Sequence, residues 1–248
     1  MNIILQHWTG ELPRWAQLTS NSIAEYARVI GAEYELVRGN PMGEVHGPHT
    51  QKLVYIQKQY DEYDQTLMLD MDIMATKQFS NVFDIPRIGV LHDRAMQGTS
   101  RTPNAAPTLY EKGKPVFFGN FIKLTREQRI PLRDIWNRDE DKIAKSVIDH
   151  YSGDEIVLHY LFHQSGILDG IRNSDLCMRY NDDYTWRREN RWDRKFANLY
   201  RNSPKRPASD KRWGDGSDSD ASLIHFCRDQ KRYIEKVYEN IHHNPQGK

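Results

Sequence analysis

Short apolar runs alternate with segments of helical periodicity over the first ninety residues of the chain. Four of these runs are rich in aliphatic residues and predict strands buried in a sheet: 2–6, 34–37, 66–74 and 88–91. Between them, residues 22–30 and 49–63 place apolar side chains at helical spacing, and Gly31 ends the first of these helices. Residues 115–124 predict a further strand and residues 154–162 a further helix. This alternation indicates βαβ units and an α/β fold with a largely parallel central sheet.

The residues that follow the first predicted strand are candidates for ligand binding. Crossovers in a parallel sheet are right-handed, so the carboxyl ends of the strands meet at one edge, where ligands of open α/β sheets bind. Main-chain groups and an aromatic ring at His7, Trp8 and Thr9 suit a nucleobase, and packing in the core is the alternative role for Trp8. Lys52, at the start of the second predicted helix, is either a solvated lysine or a contact to a pyrimidine or a phosphate.

Two carboxylates interrupt the third apolar run, which reads Leu-Met-Leu-Asp-Met-Asp-Ile at positions 67–73. Side chains at positions i and i+2 of a strand point to the same side, so Asp70 and Asp72 are expected to converge and to repel each other. A divalent cation relieves this repulsion, and oxygen ligands suit Mn²⁺ or Mg²⁺. The sequence therefore predicts that Asp70 and Asp72 bind a metal that neutralises a diphosphate leaving group. An accidental Asp-x-Asp is the alternative.

Composition limits the class of protein. The 248 residues are enough for one large α/β domain, and 28% of them are charged. No stretch approaches the roughly 18 apolar residues of a membrane span. The first apolar run is too short, and lacks the basic residues, for a signal peptide, so a cytoplasmic location is expected. The two cysteines, Cys177 and Cys227, are expected to be reduced and packed.

Positive charge is concentrated between residues 185 and 212. Ten basic and three acidic side chains give this segment a charge of +7, which leaves −6 for the remainder of a chain whose net charge is +1. Aromatic residues are interleaved with the arginines, as in proteins that bind single-stranded nucleic acid. No nucleic-acid-binding motif accompanies them, so nucleic acid is not favoured as a partner. An anionic glycan, a lipid-linked diphosphate or peripheral contact with a membrane through residues 185–213 suits the segment better than nucleic acid does, and a plain solvated face is also open.

The order of the motifs resembles the GT-A class of nucleotide-sugar glycosyltransferases, and most nearly the family-8-like retaining galactosyl- and glucosyltransferases. A hydrophobic strand that ends in Asp-x-Asp is the hallmark of that class. Residues 116–122 resemble the strand behind its acceptor site, with Gly119-Asn120 in place of the usual Asn-Ser-Gly. Residues 223–226 resemble the strand whose histidine, here His225, completes the metal shell. The usual His-x-x-Gly-x-x-Lys is present without its glycine, and Arg228 or Lys231 would supply the charge that contacts phosphate.

The resemblance implies a GT-A (Rossmann-like) fold, a single domain over residues 1–248 with a mixed, mainly parallel central sheet flanked by helices. Within it, residues 1–95 would form the nucleotide-binding half and 96–184 the acceptor-side half. A basic, flexible segment at 185–222 would precede a C-terminal strand and helix at 223–248.

The resemblance also implies roles for individual residues. Asp154 and Glu155 would be the acidic pair beside the donor sugar and carry catalysis, and helix capping is the alternative role for both. Donor-binding contacts would come from Asp70, Met71 and Lys231. A packed core residue is the alternative role for His225.

The implied activity is transfer of a sugar from a nucleoside-diphosphate sugar, with UDP as the expected nucleotide, to a hydroxyl of a glycan or glycolipid. Mn²⁺ or Mg²⁺ would be the cofactor. A sugar nucleotidyltransferase would need a Gly-rich phosphate loop after the first strand, which residues 8–13 do not provide. Two competing functions are a metal-dependent nuclease, which would combine the acids with the basic segment, and a glycan-binding protein that needs no metal.

His159 and His163 lie four residues apart on a predicted helix, but the residues between them lack the glutamate of a zinc hydrolase motif.

Overall fold

The computed structural model describes residues 1–77, 81–84, 89–91, 109, 117–147, 153–167, 171–172, 179–180, 186–187, 196–199, 222–226 and 228–242. The strands, in chain order from β1 to β11, are Asn2–Trp8, Glu33–Arg38, Gln65–Leu69, Ile73–Ala75, Gly89–Leu91, Phe117–Thr125, Ile171–Arg172, Arg179–Tyr180, Trp186–Arg187, Phe196–Leu199 and Leu223–Phe226. The α-helices α1 to α4 are Arg14–Val29, Arg126–Val147, Gly153–Ser165 and Ile234–His242. Short 3₁₀ helices are formed by Thr50–Ile56, Lys58–Tyr60, Val82–Asp84 and Arg228–Tyr233. None of the described helices is long and apolar enough to cross a membrane.

The largest sheet has six strands in the order β2-β1-β3-β6-β5-β7. β1 pairs with β3 and β5 with β7 in parallel, whereas β6 is antiparallel to both of its neighbours, β3 and β5. β1, β3, β5 and β7 therefore share one direction. The predicted mixed, mainly parallel sheet of an α/β fold is confirmed.

A second sheet has three strands in the order β10-β11-β4. β11 is parallel to β10 and antiparallel to β4, and this register places His225 opposite Ile73. Phe226 donates its main-chain N–H to the carbonyl of Asp72 at 2.8 Å. The short β4 therefore ties the segment after Asp72 to the strand that carries His225.

The chain forms two compact units from interleaved segments. The first unit comprises Met1–Gly10, Glu35–Leu69 and Pro86–Asn173, and the second comprises Glu11–Tyr34, Asp70–Ile85 and Ser174–Lys248. Apolar residues of β1, β3, β6, α2, α3 and the first 3₁₀ helix form the core of the first unit. In the second unit, side chains of β4, β11 and α4 form a separate core, against which Trp15 of α1 packs.

Helix α1 begins eight residues earlier than the predicted start at residue 22. Pro13 is in an extended conformation at its N-cap, and Gly31, with φ +73°, follows its last turn as predicted. The first half of the helix buries polar residues, which hide its periodicity. The hydroxyl oxygens of Thr19 and Ser22 lie 2.9 and 2.7 Å from the carbonyl oxygens of the residues three positions earlier.

The helix predicted over residues 49–63 is wrong in type. The structure has two 3₁₀ helices there, separated at Gln57, whose backbone is extended with φ −71° and ψ 156°. The long strand predicted over residues 66–74 is also wrong: β3 ends at Leu69, a turn follows in which Ile73 N–H donates to the carbonyl of Asp70 at 3.1 Å, and β4 joins the other sheet. The predicted strands at 88–91 and 115–124 and the helix at 154–162 are confirmed with small shifts of their ends.

Candidate active site

Asp70, Asp72 and His225 come together in the second unit. Asp70 and Asp72 lie in the turn between β3 and β4, and His225 lies in β11, the partner of β4. One carboxylate oxygen of each aspartate and a ring nitrogen of the histidine all lie within 4.8 Å of one another. The predicted convergence of the two aspartates is therefore confirmed, although a turn produces it and not the alternation of a strand.

Asp72 is the buried centre of this group. Its Oδ1 lies 3.1 Å from Nε2 of His225, and its Oδ2 lies 3.1 Å from Nζ of Lys231. Burial by itself raises the pKa of this carboxyl, but His225 and Lys231 outweigh burial and hold the pKa below its ordinary value. Asp72 is therefore an anion throughout the physiological pH range.

The chemistry of the group fits a hard divalent cation. Two carboxylates and one imidazole form a donor set that Mn²⁺ and Mg²⁺ accept. Asp72 Oδ1 is buried, and Nε2 of His225 lies 3.1 Å from it. Neighbouring ligands of a cation with bonds of about 2.1 Å are separated by about 3 Å, so this pair of atoms is spaced as two ligands of one ion would be. Among the described residues, no other group of three or more histidine, cysteine, aspartate or glutamate side chains brings its possible ligand atoms within 4.8 Å of one another.

Two hydroxyls of helix α1 make hydrogen bonds to the main chain in and beside the turn that carries the aspartates. Thr19 Oγ1 lies 2.6 Å from the carbonyl oxygen of Met71 and 2.9 Å from that of Ala16. A hydroxyl has one proton, so the shorter contact to Met71 takes the larger share of it. Ser22 Oγ accepts the main-chain N–H of Ala75 at 3.0 Å, just beyond the turn. The sequence analysis did not identify either hydroxyl as a contact to this turn. Their spacing of three residues, which places both on one buried face of the helix, was the signal that could have identified them.

The hydrogen bond to Met71 leads to a prediction about Thr19. Thr19→Val keeps the shape of the side chain but leaves the buried carbonyl of Met71 without its donor, which costs about 1–3 kcal/mol. We expect Mn²⁺ affinity, measured by electron paramagnetic resonance of free Mn²⁺, to fall about tenfold, because the ligands are less well held. Thr19→Ser, which keeps the hydroxyl, is the control and should retain the wild-type affinity. Equal affinities for the Val and Ser variants would contradict a role of this hydrogen bond in the site.

A buried ion pair joins two of the predicted residues in the first unit. Lys52 Nζ lies 2.6 Å from Asp154 Oδ2 and donates to the carbonyl of Gly119 at 3.2 Å. Asp154 lies in the first turn of α3, where the helix dipole favours a carboxylate, and Glu155 beside it is half-buried. The sequence analysis assigns Asp154 and Glu155 to the donor sugar and Lys52 to a pyrimidine or a phosphate. In the structure, Lys52 forms an ion pair with Asp154.

Gly119 is required by this ion pair. A Cβ atom at position 119 would lie 2.0 Å from Oδ2 and 2.8 Å from Cγ of Asp154. Every residue except glycine would therefore displace the carboxylate. This contact accounts for the glycine at position 119 of the strand.

His7, Trp8 and Thr9 are close to the loop that follows β2. His7 Nε2 lies 2.7 Å from the carbonyl of Gly39, and Thr9 Oγ1 donates to the same carbonyl at 3.0 Å. Because a carbonyl only accepts, Nε2 carries the proton of this imidazole. Burial lowers the pKa of His7, the Gly39 carbonyl partly opposes this, and the cations Lys52 and Arg38 lower it further. His7 is therefore neutral, with Nδ1 as an acceptor.

Other predicted features are not part of these groups. His159 is buried in α3 with its ring 4.3 Å from that of His163, so the two histidines lie on one face of the helix. Lys231, by contrast, forms an ion pair with Asp72, one of the three grouped residues. The side chains of the basic segment lie outside the described residues, which include only the backbone of β9 and β10 there.

Comparison with known proteins identifies the fold. No protein-family model matches the sequence, and no curated protein sequence is significantly similar to it. The structure is similar to that of a glycosyltransferase involved in the glycosylation of the major capsid of PBCV-1, with a TM-score of 0.55 and 13% identity over 95% of this chain and 98% of that one. It is also similar to the galactosyltransferase LgtC in complex with donor and acceptor sugar analogues, with a TM-score of 0.51 and 12% identity over 99% and 98% of the two chains. The chain therefore has the GT-A fold.

Proposed function

We propose that the chain is a metal-dependent glycosyltransferase that moves a sugar from a nucleoside-diphosphate sugar, with UDP as the nucleotide, to a hydroxyl of a glycan or glycolipid. The observation that carries this proposal is the group of Asp70, Asp72 and His225 in a chain with the GT-A fold. A donor set of this kind suits an ion that also binds phosphate oxygens. Both structural neighbours are described as glycosyltransferases, and one of them holds donor and acceptor sugar analogues.

The metal group serves the leaving group of the reaction. Asp70, Asp72 and His225 would hold Mn²⁺ or Mg²⁺, which would supply positive charge to the diphosphate of the bound donor. The acceptor oxygen forms a bond to the anomeric carbon while the bond from that carbon to the diphosphate breaks. The electron pair and the acceptor's proton leave with the nucleoside diphosphate. Lys231 and the main chain of Met71 bind the phosphates.

Asp154 and Glu155 serve the sugar. The transition state has oxocarbenium character, so carboxylates close to the ring stabilise it more than they stabilise the ground state. Lys52 fixes the orientation of Asp154 through a short, nearly buried ion pair. This pairing favours binding and orientation of sugar hydroxyls as the role of Asp154. Glu155, half-buried beside it, is the second carboxylate of the pair.

The nucleobase is bound at the end of β1 by His7, Trp8 and Thr9. A neutral His7 that donates Nε2–H to Gly39 presents an acceptor at Nδ1. Uracil carries an N–H donor at N3, whereas cytosine carries an acceptor at the same position. An Nδ1 acceptor that faced the base would therefore favour UDP over CDP as the nucleotide of the donor.

A thermal-shift screen of nucleoside diphosphates, with and without Mn²⁺, tests the proposal. A ligand that binds the native state raises Tm by mass action, by an amount that grows with its concentration relative to Kd. We expect UDP with Mn²⁺ to raise Tm more than UDP or Mn²⁺ alone, and UDP-sugars to be hydrolysed slowly without acceptor. Binding of an oligonucleotide at moderate salt, with no response to UDP, would favour a nuclease instead.

The acceptor is proposed to be anionic or membrane-associated because of the basic segment at residues 185–213. Its charge of +7 contrasts with −6 for the remainder of the chain. The donor's diphosphate would already be paired with the metal, so it does not need the positive charge of this segment. An acidic glycan or a lipid-linked acceptor at an anionic membrane surface would be attracted by it.

A triple substitution in this segment tests the acceptor. Replacing Arg187, Arg188 and Arg191 with Gln should raise the acceptor KM about a hundredfold at low salt, because about 1 kcal/mol is lost for each of the three basic residues near an anionic surface. The salt dependence of the acceptor KM should become shallower, since screening acts on these charges. Hydrolysis of the donor without acceptor is the control and should stay within about twofold of wild type. Loss of donor binding with an unchanged acceptor KM would place the segment on the donor.

A further inference from the structure

Lys231 pairs with Oδ2 of Asp72, whereas His225 lies close to Oδ1 of the same carboxylate. The lysine lies in the 3₁₀ helix Arg228–Tyr233, directly after β11, and its Nζ is 3.1 Å from Oδ2 of Asp72. The same ammonium lies over the ring of Trp15 from α1, 5.2 Å from its centroid. A carboxylate and an aromatic face therefore both attract this ammonium in the free protein.

The two members of this ion pair differ in freedom. The Asp72 side chain is 9% exposed, and the carbonyl of the same residue is held by Phe226 N–H. The Lys231 side chain is 41% exposed on a flexible four-carbon stem, so it can swing away without opening the core. When another cation competes for the Asp72 carboxylate, Lys231 is therefore the side chain that moves.

We propose that Lys231 is a counter-charge that competes with the divalent cation for Asp72 in the free protein and moves to the donor's diphosphate when the donor binds. This inference rests on the proposed function, since it deepens the roles given there to Asp72 and Lys231. The ammonium repels an incoming cation and neutralises part of the charge that attracts it. A diphosphate carries more negative charge than one carboxylate, so it draws the ammonium from Oδ2 and leaves Asp72 to the metal.

The consequence is positive coupling between metal and nucleotide. Binding of the diphosphate removes a cation from the metal site, and the metal then binds more tightly. By linkage, the metal increases the affinity for nucleotide by the same factor. The free protein would hold Mn²⁺ weakly and the donor complex would hold it tightly.

A purely structural role for Lys231 makes the opposite prediction for the free protein. If the ion pair only braced the 3₁₀ helix against Asp72, its loss would loosen the ligands, and metal and nucleotide would both bind less tightly. A counter-charge instead gives effects of opposite sign on the two ligands. The sign of the change in metal affinity therefore separates the two roles.

The experiment measures Mn²⁺ affinity without nucleotide and UDP affinity with Mn²⁺, by calorimetry on the full chain. We expect Lys231→Gln to bind Mn²⁺ about fivefold tighter than wild type, at the low end of common coupling factors because the pair is partly exposed. The same variant should bind UDP about tenfold more weakly, since it has lost a charge-assisted phosphate contact. Lys236→Gln, the same change at an exposed position of α4, is the matched control and should alter neither affinity.

Two further outcomes are decisive. Mn²⁺ binding to Lys231→Gln that equals or falls below the wild-type affinity overturns the counter-charge role, even when UDP binding is weakened. Asp72→Asn distinguishes this failure from a failure of the proposed function. If wild type binds Mn²⁺ and Asp72→Asn does not, the metal site stands and only the inference about Lys231 is lost. If the two bind Mn²⁺ equally, the proposed metal site is overturned, and the inference with it.

Discussion

Asp72→Asn is expected to reduce sugar transfer by about a thousandfold or more, the scale on which loss of one electrostatic contact in a water-excluded site acts. The substitution keeps the size of the side chain and removes the negative charge that a cation requires. Asp72 is also the residue that contacts both His225 and Lys231, so its charge organises the whole group. Turnover of a UDP-sugar, measured by release of UDP at saturating Mn²⁺, is the readout.

Two controls separate lost chemistry from lost structure. Asp84→Asn makes the same chemical change at an exposed position of the second unit and should keep wild-type turnover. Circular dichroism and Tm should show that Asp72→Asn is folded. Asp70→Asn should behave as Asp72→Asn does, since Asp70 contributes an oxygen to the same group. Wild-type turnover in either variant would contradict metal-dependent transfer at this site.

The grouping of Asp70, Asp72 and His225 could be predicted from the sequence, but its geometry could not. The apolar run at 66–74 is continuous, and local pattern does not show that its two ends belong to different sheets. The partner of β4 is β11, far along the chain at Leu223–Phe226, and pairing over such a distance leaves no local signal. The aspartates converge because the chain turns at this switch between sheets.

The contacts that support the site were also beyond local reasoning. Thr19 acts on Met71, and Gly119 admits Asp154, across long separations in sequence. Each residue by itself has an ordinary alternative as a helix hydroxyl or a strand glycine. Only the folded chain shows which carbonyl or carboxylate each one meets.

Helix α2 was not predicted, and its buried arginine explains why. The helix is highly charged, contains Pro131 in its first turns, and buries Arg129 completely on its inner face. A hydrophobicity pattern counts arginine as a polar, exposed position. The buried face of the helix begins at Arg129, but its first apolar residue is Leu132, one turn later, followed by Ile135 and Trp136.

Arg129 ties together three elements of the first unit. Its Nη2 donates to the carbonyls of Tyr60 and Tyr63 at 2.8 and 2.7 Å, beside the end of a 3₁₀ helix. Its Nη1 donates to the carbonyl of Leu124 in β6 at 3.2 Å and to the hydroxyl of Thr66 in β3 at 3.4 Å. Burial lowers the pKa of Arg129, and Asp61 partly opposes this, but a guanidinium keeps its charge in proteins.

Arg129→Ala is expected to lower the free energy of unfolding by about 3–5 kcal/mol, because it opens a cavity and leaves buried carbonyls without donors. Chemical denaturation followed by circular dichroism measures this loss, and the corresponding fall in Tm is roughly 10 °C. Arg129→Lys keeps the charge but not the planar fork, so it cannot reach all four acceptors and should lose an intermediate amount. Arg138→Ala, farther along α2, removes an exposed arginine that pairs with Asp139 and should change the free energy of unfolding little. A loss at Arg129 no greater than the loss at Arg138 would show that these carbonyls find other donors.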